Sequence, residues 1–175
     1  MNLKSLLAKP FAQYIHKQIR RNNNHALTDQ ESILKQLIKT GKGTGFGKDH
    51  LFHDVITYDE FQKAVPIRDY EMLKPYIELI KEGKENVLWK GKPIYFAKTS
   101  GTTSGVKYIP ITKDSIPNHI HTARNALLCY MAETGNSAFA GGKMIFLSGS
   151  PELERVGGIP TGRLSGIVNH QKHLI

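Results

Sequence analysis

The feature that most constrains this chain is a change of hydrophobic period at Trp89. Before it, apolar residues recur at helical spacing; after it, they gather in short runs of strand character. Leu3, Leu6, Leu7, Tyr14, Ile15 and Ile19 give a basic amphipathic start. Pro10 interrupts that pattern, so two short helices, or one beginning near Pro10, are expected there, with residues 20–24 as a loop. Thr28 with Glu31 and Thr57 with Glu60 have capping-box spacing. They predict helices over 28–39 and from 57 until Pro66. Another helix is expected over 69–81, ending at Gly83, with Pro75 in or near its first turn. Residues 41–47 read as a flexible turn.

After Trp89 the expected strands are 94–98, 107–111 and 143–148. Thr112 is expected to cap a long helix reaching about Glu133. Residues 148–160 read as a loop, and Thr161 as the cap of a final helix. Strand, loop, strand, helix and strand predict an α/β fold. Its helical portion over 1–90 would pack on an incomplete sheet within 91–175. The length, 175 residues, suits one domain.

Composition excludes several classes. One cysteine, Cys129, cannot form an internal disulfide, which favours a reducing, cytoplasmic setting. No apolar run approaches the roughly 20 residues of a membrane span. Lys4 and Lys9 break the only stretch that could serve as a secretory signal. The net charge is +9, with 15 basic against 11 acidic residues through Lys90 and 9 against 4 after it. Such a chain could attract nucleic acid, anionic lipid or a nucleotide, and composition does not choose among them. An aromatic-plus-basic RNA motif is absent, which speaks against nucleic acid. Residues 1–21, acid-free, fit a surface helix with a solvated basic face; a membrane-surface helix or transit peptide is the alternative.

The stretch Thr99-Ser100-Gly101-Thr102-Thr103-Ser104-Gly105-Val106-Lys107 carries the most chemistry. It places five hydroxyl side chains and two glycines between two short strands. Glycine permits close backbone approach and unusual φ. Successive N–H groups and hydroxyls can wrap a phosphate, and Lys107 can add a point charge. A plain Ser/Gly-rich turn is the competing reading. Other motifs fail on spacing. Residues 43–49 fall one short of a P-loop, and Asp49 stands where a Ser or Thr would meet magnesium. Ser104 to Lys107 matches a bare SxxK, but no SDN or KTG accompanies it. None of the eight histidines completes a metal cluster.

Thr99 to Lys107 resembles the phosphate-binding signature of the adenylate-forming superfamily, a Ser/Thr-Ser-Gly-Thr-Thr/Ser-Gly loop ending in lysine. Flanking stretches narrow the resemblance: residues 58–61, Val65-Pro66-Ile67, Asp69-Tyr70-Glu71, residues 73–77 and Asn86-Val87-Leu88-Trp89. Together with residues 146–152 and 161–166 they resemble the bacterial branch of the Gretchen Hagen 3 acyl-acid amido synthetases. The resemblance covers the chain from about Thr44 onward. It implies ATP-dependent activation of a small-molecule carboxylate as an acyl-adenylate, followed by amide formation with an amino acid. It implies that Thr99, Ser100, Gly101, Thr102, Thr103, Ser104 and Lys107 hold the ATP phosphates, bridged by Mg²⁺. Arg124 and Tyr130, on the helix after the loop, become candidates for acyl-acid contacts; a solvated arginine and a core tyrosine are the alternative.

Two departures stand out. Ser104, Gly105 and Val106 occupy the place of the family's Gly-Gly or Gly-x-Pro. The later adenine and ribose motifs, and the mobile C-terminal domain, are missing. The chain therefore reads as the N-terminal part of a longer synthetase, partnered by that missing portion and inactive alone. A catalytically dead truncated product or interaction fragment is the alternative, and a basic module for anionic membrane or nucleic acid a remoter one.

Overall fold

A computed structural model describes residues 3–99, 101, 105–142, 145 and 147–170. In chain order the elements are α1 (Leu3–Asn23), α2 (Ala26–Gly41), α3 (Gly45–Asp49), α4 (Tyr58–Ala64), α5 (Tyr70–Lys81), β1 (Tyr95–Lys98), β2 (Tyr108–Ile111), α6 (Ile116–Thr134), β3 (Glu154–Val156), β4 (Ile159–Gly162) and α7 (Leu164–His170), with a 3₁₀ turn at Ala138–Gly141. The chain is thus α/β with a small mixed sheet. It divides into two units, Met1–Asp29 with Ser115–Leu147, and Gln30–Asp114 with Ser148–Ile175.

The first unit is a helix pair. Ala8, Ala12 and Ile15 recur at four- and three-residue steps, so they form one stripe of α1. That stripe packs on Leu128, Met131 and Ala132 of α6 and on Phe139 and Ala140. His16 Nε2 lies 2.8 Å from Glu133 Oε1 beside the stripe. Pro10 does not divide this helix, and α1 runs on through Arg20 and Arg21 to Asn23. Pro10 is on the exposed side, and the apolar stripe is continuous across it. Packing therefore outweighs the lost backbone hydrogen bond. α6 begins at Ile116, later than expected, with Pro117 in the first turn, where its missing N–H has no helical partner to lose. Gly135 ends it at φ +69°, its N–H donating to Met131 O.

The second unit holds α3–α5, most of α2, α7 and the sheet. α2 starts before Thr28, so Thr28 lies in its first turn and not at its cap. A helix stands where a flexible turn was expected: Thr44 Oγ1 accepts from Gly47 N–H at 3.0 Å and donates to Gly41 O at 2.7 Å. Gly47 is required there, because a Cβ would fall 2.0 Å from Gly41 O. Thr57 and Glu60 form the expected capping box. Glu60 Oε2 accepts from Thr57 N–H and Ile56 N–H at 2.9 and 2.8 Å, and these bonds hold its carboxyl below the usual range. Asp69 caps α5 by accepting from Met72 N–H at 2.9 Å; Pro75 sits in its second turn. Ile77 and Ile80 of α5 pack with Val87, Phe96 and Ile159 into the main core.

The strand order is β2-β1-β4-β3. β1 pairs antiparallel with β2, Tyr95 opposite Ile111 and Lys98 opposite Tyr108. It pairs parallel with β4 through Phe96–Thr161 and Ala97–Gly162. Phe96 and Thr161, at the centre, are fully buried. The strand expected at 143–148 is not found. Ile145, Leu147 and Ser148 lie outside any strand, and Ile145 and Leu147 are 88% and 92% exposed; Lys143, Met144 and Phe146 lie outside the described residues. The place beside β1 is taken instead by β4, from the stretch read as a loop. β3 and β4 form a hairpin, Val156 opposite Ile159, and the last helix begins at Leu164, after the strand that holds Thr161. Among the described residues no helix is long and apolar enough to cross a membrane.

Candidate functional site

The hydroxyl-rich stretch joins the two strands of an antiparallel pair. Thr99 N–H donates to Lys107 O at 3.1 Å, and Lys107 N–H donates to Thr99 Oγ1 at 3.3 Å. These bonds close the base of the loop one residue beyond the Lys98–Tyr108 pair. Gly101 and Gly105 have φ +55° and +78°, in the left-handed region. A Cβ on Gly101 would fall 2.9 Å from the carbonyl carbon and oxygen of Gly105, so the loop folds back on itself at that point. Ser100, Thr102, Thr103 and Ser104 lie outside the described residues.

Lys107 leaves the loop half-buried. Its Nζ stands 5.5 Å from the centroid of the Tyr70 ring, and among the described residues it has no carboxylate partner. Tyr70 also accepts from Tyr108 N–H through its hydroxyl, at 2.8 Å. The first residue of α5 thus steers the loop's exit, a role that sequence spacing does not reveal. Phe96 under the loop meets Tyr108 edge-on at 5.9 Å.

The two acyl-contact candidates fall in the other unit. Arg124 is exposed on α6 and donates to its neighbour Asn125 Oδ1 at 3.1 and 3.3 Å. Tyr130 is 49% exposed, tilted against Phe139 at 6.0 Å. Neither is a core residue. Among the described residues no group of three His, Cys, Asp or Glu stands ready to hold a metal ion.

A second concave feature lies at the carboxyl ends of the parallel pair β1 and β4. It has a volume of about 380 Å³ and is lined by Lys98, Ser150, Glu152, Leu153, Gly162 and Arg163, among others. The carboxyl ends of parallel strands are where open α/β sheets take ligands. Its wall is fixed by close packing on α7. Gly149 N–H donates to Ser165 Oγ at 2.9 Å, Asn169 donates to Ser148 Oγ, and a Cβ on Gly166 would fall 2.1 Å from Ser150 O.

The GH3 family N-terminal domain matches residues 15–175. The chain belongs to the GH3 family. Among curated GH3 relatives, a probable indole-3-acetic acid-amido synthetase, GH3.13 of Oryza sativa subsp. japonica, is 29% identical over 140 residues, covering 74% of this chain and 30% of the relative. A probable indole-3-acetic acid-amido synthetase, GH3.1 of Arabidopsis thaliana, is 27% identical over 168 residues, 91% of this chain and 28% of the relative. The jasmonoyl–L-amino acid synthetase JAR6 of Nicotiana attenuata is 26% identical over 137 residues, 76% of this chain and 23% of the relative. The chain therefore spans under a third of the length of these GH3 relatives.

Proposed function

We propose that this GH3 chain supplies the ATP- and acyl-binding portion of a ligase that joins a small-molecule carboxylate to an amino acid. The observation that carries the reading is the loop between β1 and β2. Glycines at positive φ frame a run of hydroxyls, and the unpaired charge of Lys107 stands at its exit. Family membership and the relatives' names, which specify acid–amido and acid–amino acid synthesis, support the same reaction class.

In the first step a carboxylate oxygen attacks the α-phosphorus of ATP. The bond from that phosphorus to the bridging oxygen breaks, and pyrophosphate leaves. In the second, an amine attacks the acyl carbon. A C–N bond forms, the C–O bond to AMP breaks, and one proton is released. The chain's task is positioning and charge stabilisation. Thr99, Ser100, Gly101, Thr102, Thr103 and Ser104 hold the β- and γ-phosphates, and Lys107 adds a cation. The absence of a side chain at Gly101 suits close contact with an anion, since the backbone there is already within 3 Å of its own return path. Mg²⁺ would be held mainly by the phosphates and would neutralise their charge. Arg124 and Tyr130 contact the acyl acid.

The test is ATP titration of the chain and of Lys107→Ala, with carboxylate-dependent exchange of pyrophosphate into ATP as the reaction assay. Loss of at least tenfold in ATP affinity, with the fold unchanged, is expected. Equal affinity for ATP in both proteins would remove the loop from the nucleotide site.

A further inference from the structure

The cavity at the ends of β1 and β4 has an unusual balance of charge. Two cations, Lys98 and Arg163, and two carboxylates, Glu152 and Glu154, line it. One pair is already used: Lys98 Nζ donates to Glu154 Oε1 at 2.8 Å. The other two groups are not. Among the described residues Arg163 and Glu152 have no side-chain hydrogen bond or ion pair, and they do not pair with each other. An uncommitted guanidinium and an uncommitted carboxylate therefore face one concave space.

A polyphosphate does not fit such a lining, since each carboxylate would repel it. A ligand that carries both charges does. We propose that this cavity is the subsite for the amino-acid acceptor, holding it as a zwitterion. The α-carboxylate meets the planar fork of Arg163, and the ammonium meets Glu152. The inference rests on the ligase reading above and names where its second substrate sits. Chain geometry supports the assignment. Lys98 lines the cavity and is followed at once by Thr99, so the subsite abuts the phosphate loop beside which the activated carboxyl would form. Two glycines preserve the space. A Cβ on Gly162 would strike Leu153 Cδ2 at 2.6 Å, and one on Gly149 would fall 2.9 Å from the Cβ of Arg163. Leu153 gives the cavity an apolar patch for the acceptor's side chain.

The test is amide-resolved NMR of the ¹⁵N-labelled chain, titrated separately with glycine, L-leucine, L-glutamate and ATP. Acetate and methylammonium, each carrying one of the two charges, are the controls. Amino acids are expected to move the signals of residues 150–154 and 161–163, and ATP those of Gly101 and Lys107. Arg163→Met keeps the stem that packs on Gly149 and should weaken amino-acid binding at least tenfold. Glu152→Gln, on an exposed segment, should weaken it severalfold and gives an independent reading should the first variant misfold. Amino acids that move no signal around the cavity, while ATP moves the loop, would overturn the subsite and leave the ligase reading standing. Acetate or methylammonium binding as well as glycine would overturn it too. Amino-acid shifts with a silent loop under ATP would uphold the subsite and count against the ligase reading.

Discussion

Two antiparallel strand pairs in this sheet are joined in opposite ways. β3 and β4 are joined by Gly157 and Gly158 alone, at φ +58° and +77°, the two-residue turn whose twist matches the strands. β1 and β2 are joined by residues 99–107. Their two turning glycines have nearly the same φ, +55° at Gly101 and +78° at Gly105. In each connection the first glycine is crowded and the second is free. A Cβ on Gly157 would fall 2.0 Å from Lys81 O and one on Gly101 2.9 Å from Gly105, while Gly158 and Gly105 have nothing within 4 Å. The backbone requirement is thus shared, and what differs is the cargo. The short turn packs against the end of α5; the long one carries hydroxyls and a lysine.

That parallel can be broken by matched substitutions. Gly157→Ala should cost most, roughly 4 kcal/mol in chemical denaturation, because left-handed strain adds to a clash that must part the hairpin from α5. It should leave ATP affinity intact in the fraction that folds. Gly101→Ala should cost about 2–3 kcal/mol and abolish measurable ATP binding, since the contact it meets lies within the loop itself. Gly105→Ala and Gly158→Ala should each cost about 1–2 kcal/mol, and should match within experimental error. Only the former should weaken nucleotide binding. A Gly158→Ala protein with altered ATP affinity would show that the two turns are coupled. Lys107→Ala should change stability least, by less than ~1 kcal/mol, because the contact it loses is one partly exposed cation over a ring; its effect belongs to the ATP titration.

Where local chemistry decides, the sequence was legible. Thr57 with Glu60 and Asp69 before α5 announce their helices because a side-chain oxygen, and nothing distant, satisfies the first N–H groups. The strands 95–98 and 108–111 lie within a residue of expectation. Where tertiary contact decides, it was not. Pro10 inside α1 and the helix at 45–49 both depend on packing partners remote from the local pattern. The β3–β4 hairpin was hidden by Pro160, which disfavours a central strand. β4 tolerates it because pairing with β1 is confined to Thr161 and Gly162. Gly157-Gly158 was nonetheless a readable hairpin signal. Of the site, the loop and Lys107 could be seen in the sequence. Tyr70, which steers the lysine, and Arg163 opposite Glu152 could not, because each joins its neighbours only through the folded sheet.

The bond between Tyr70 and Tyr108 has a consequence for the sheet's outer rim. In an antiparallel ladder, alternate amides point to the partner strand and away from it. Since Thr99 and Lys107 bond across the pair, the outward amides of β2 are those at positions 108 and 110. The first is occupied by the Tyr70 hydroxyl. The second belongs to Pro110 and does not exist. A foreign strand that approaches β2 therefore meets carbonyls and no free donor. It cannot extend the sheet there, and the rim beside the phosphate loop is closed to self-association.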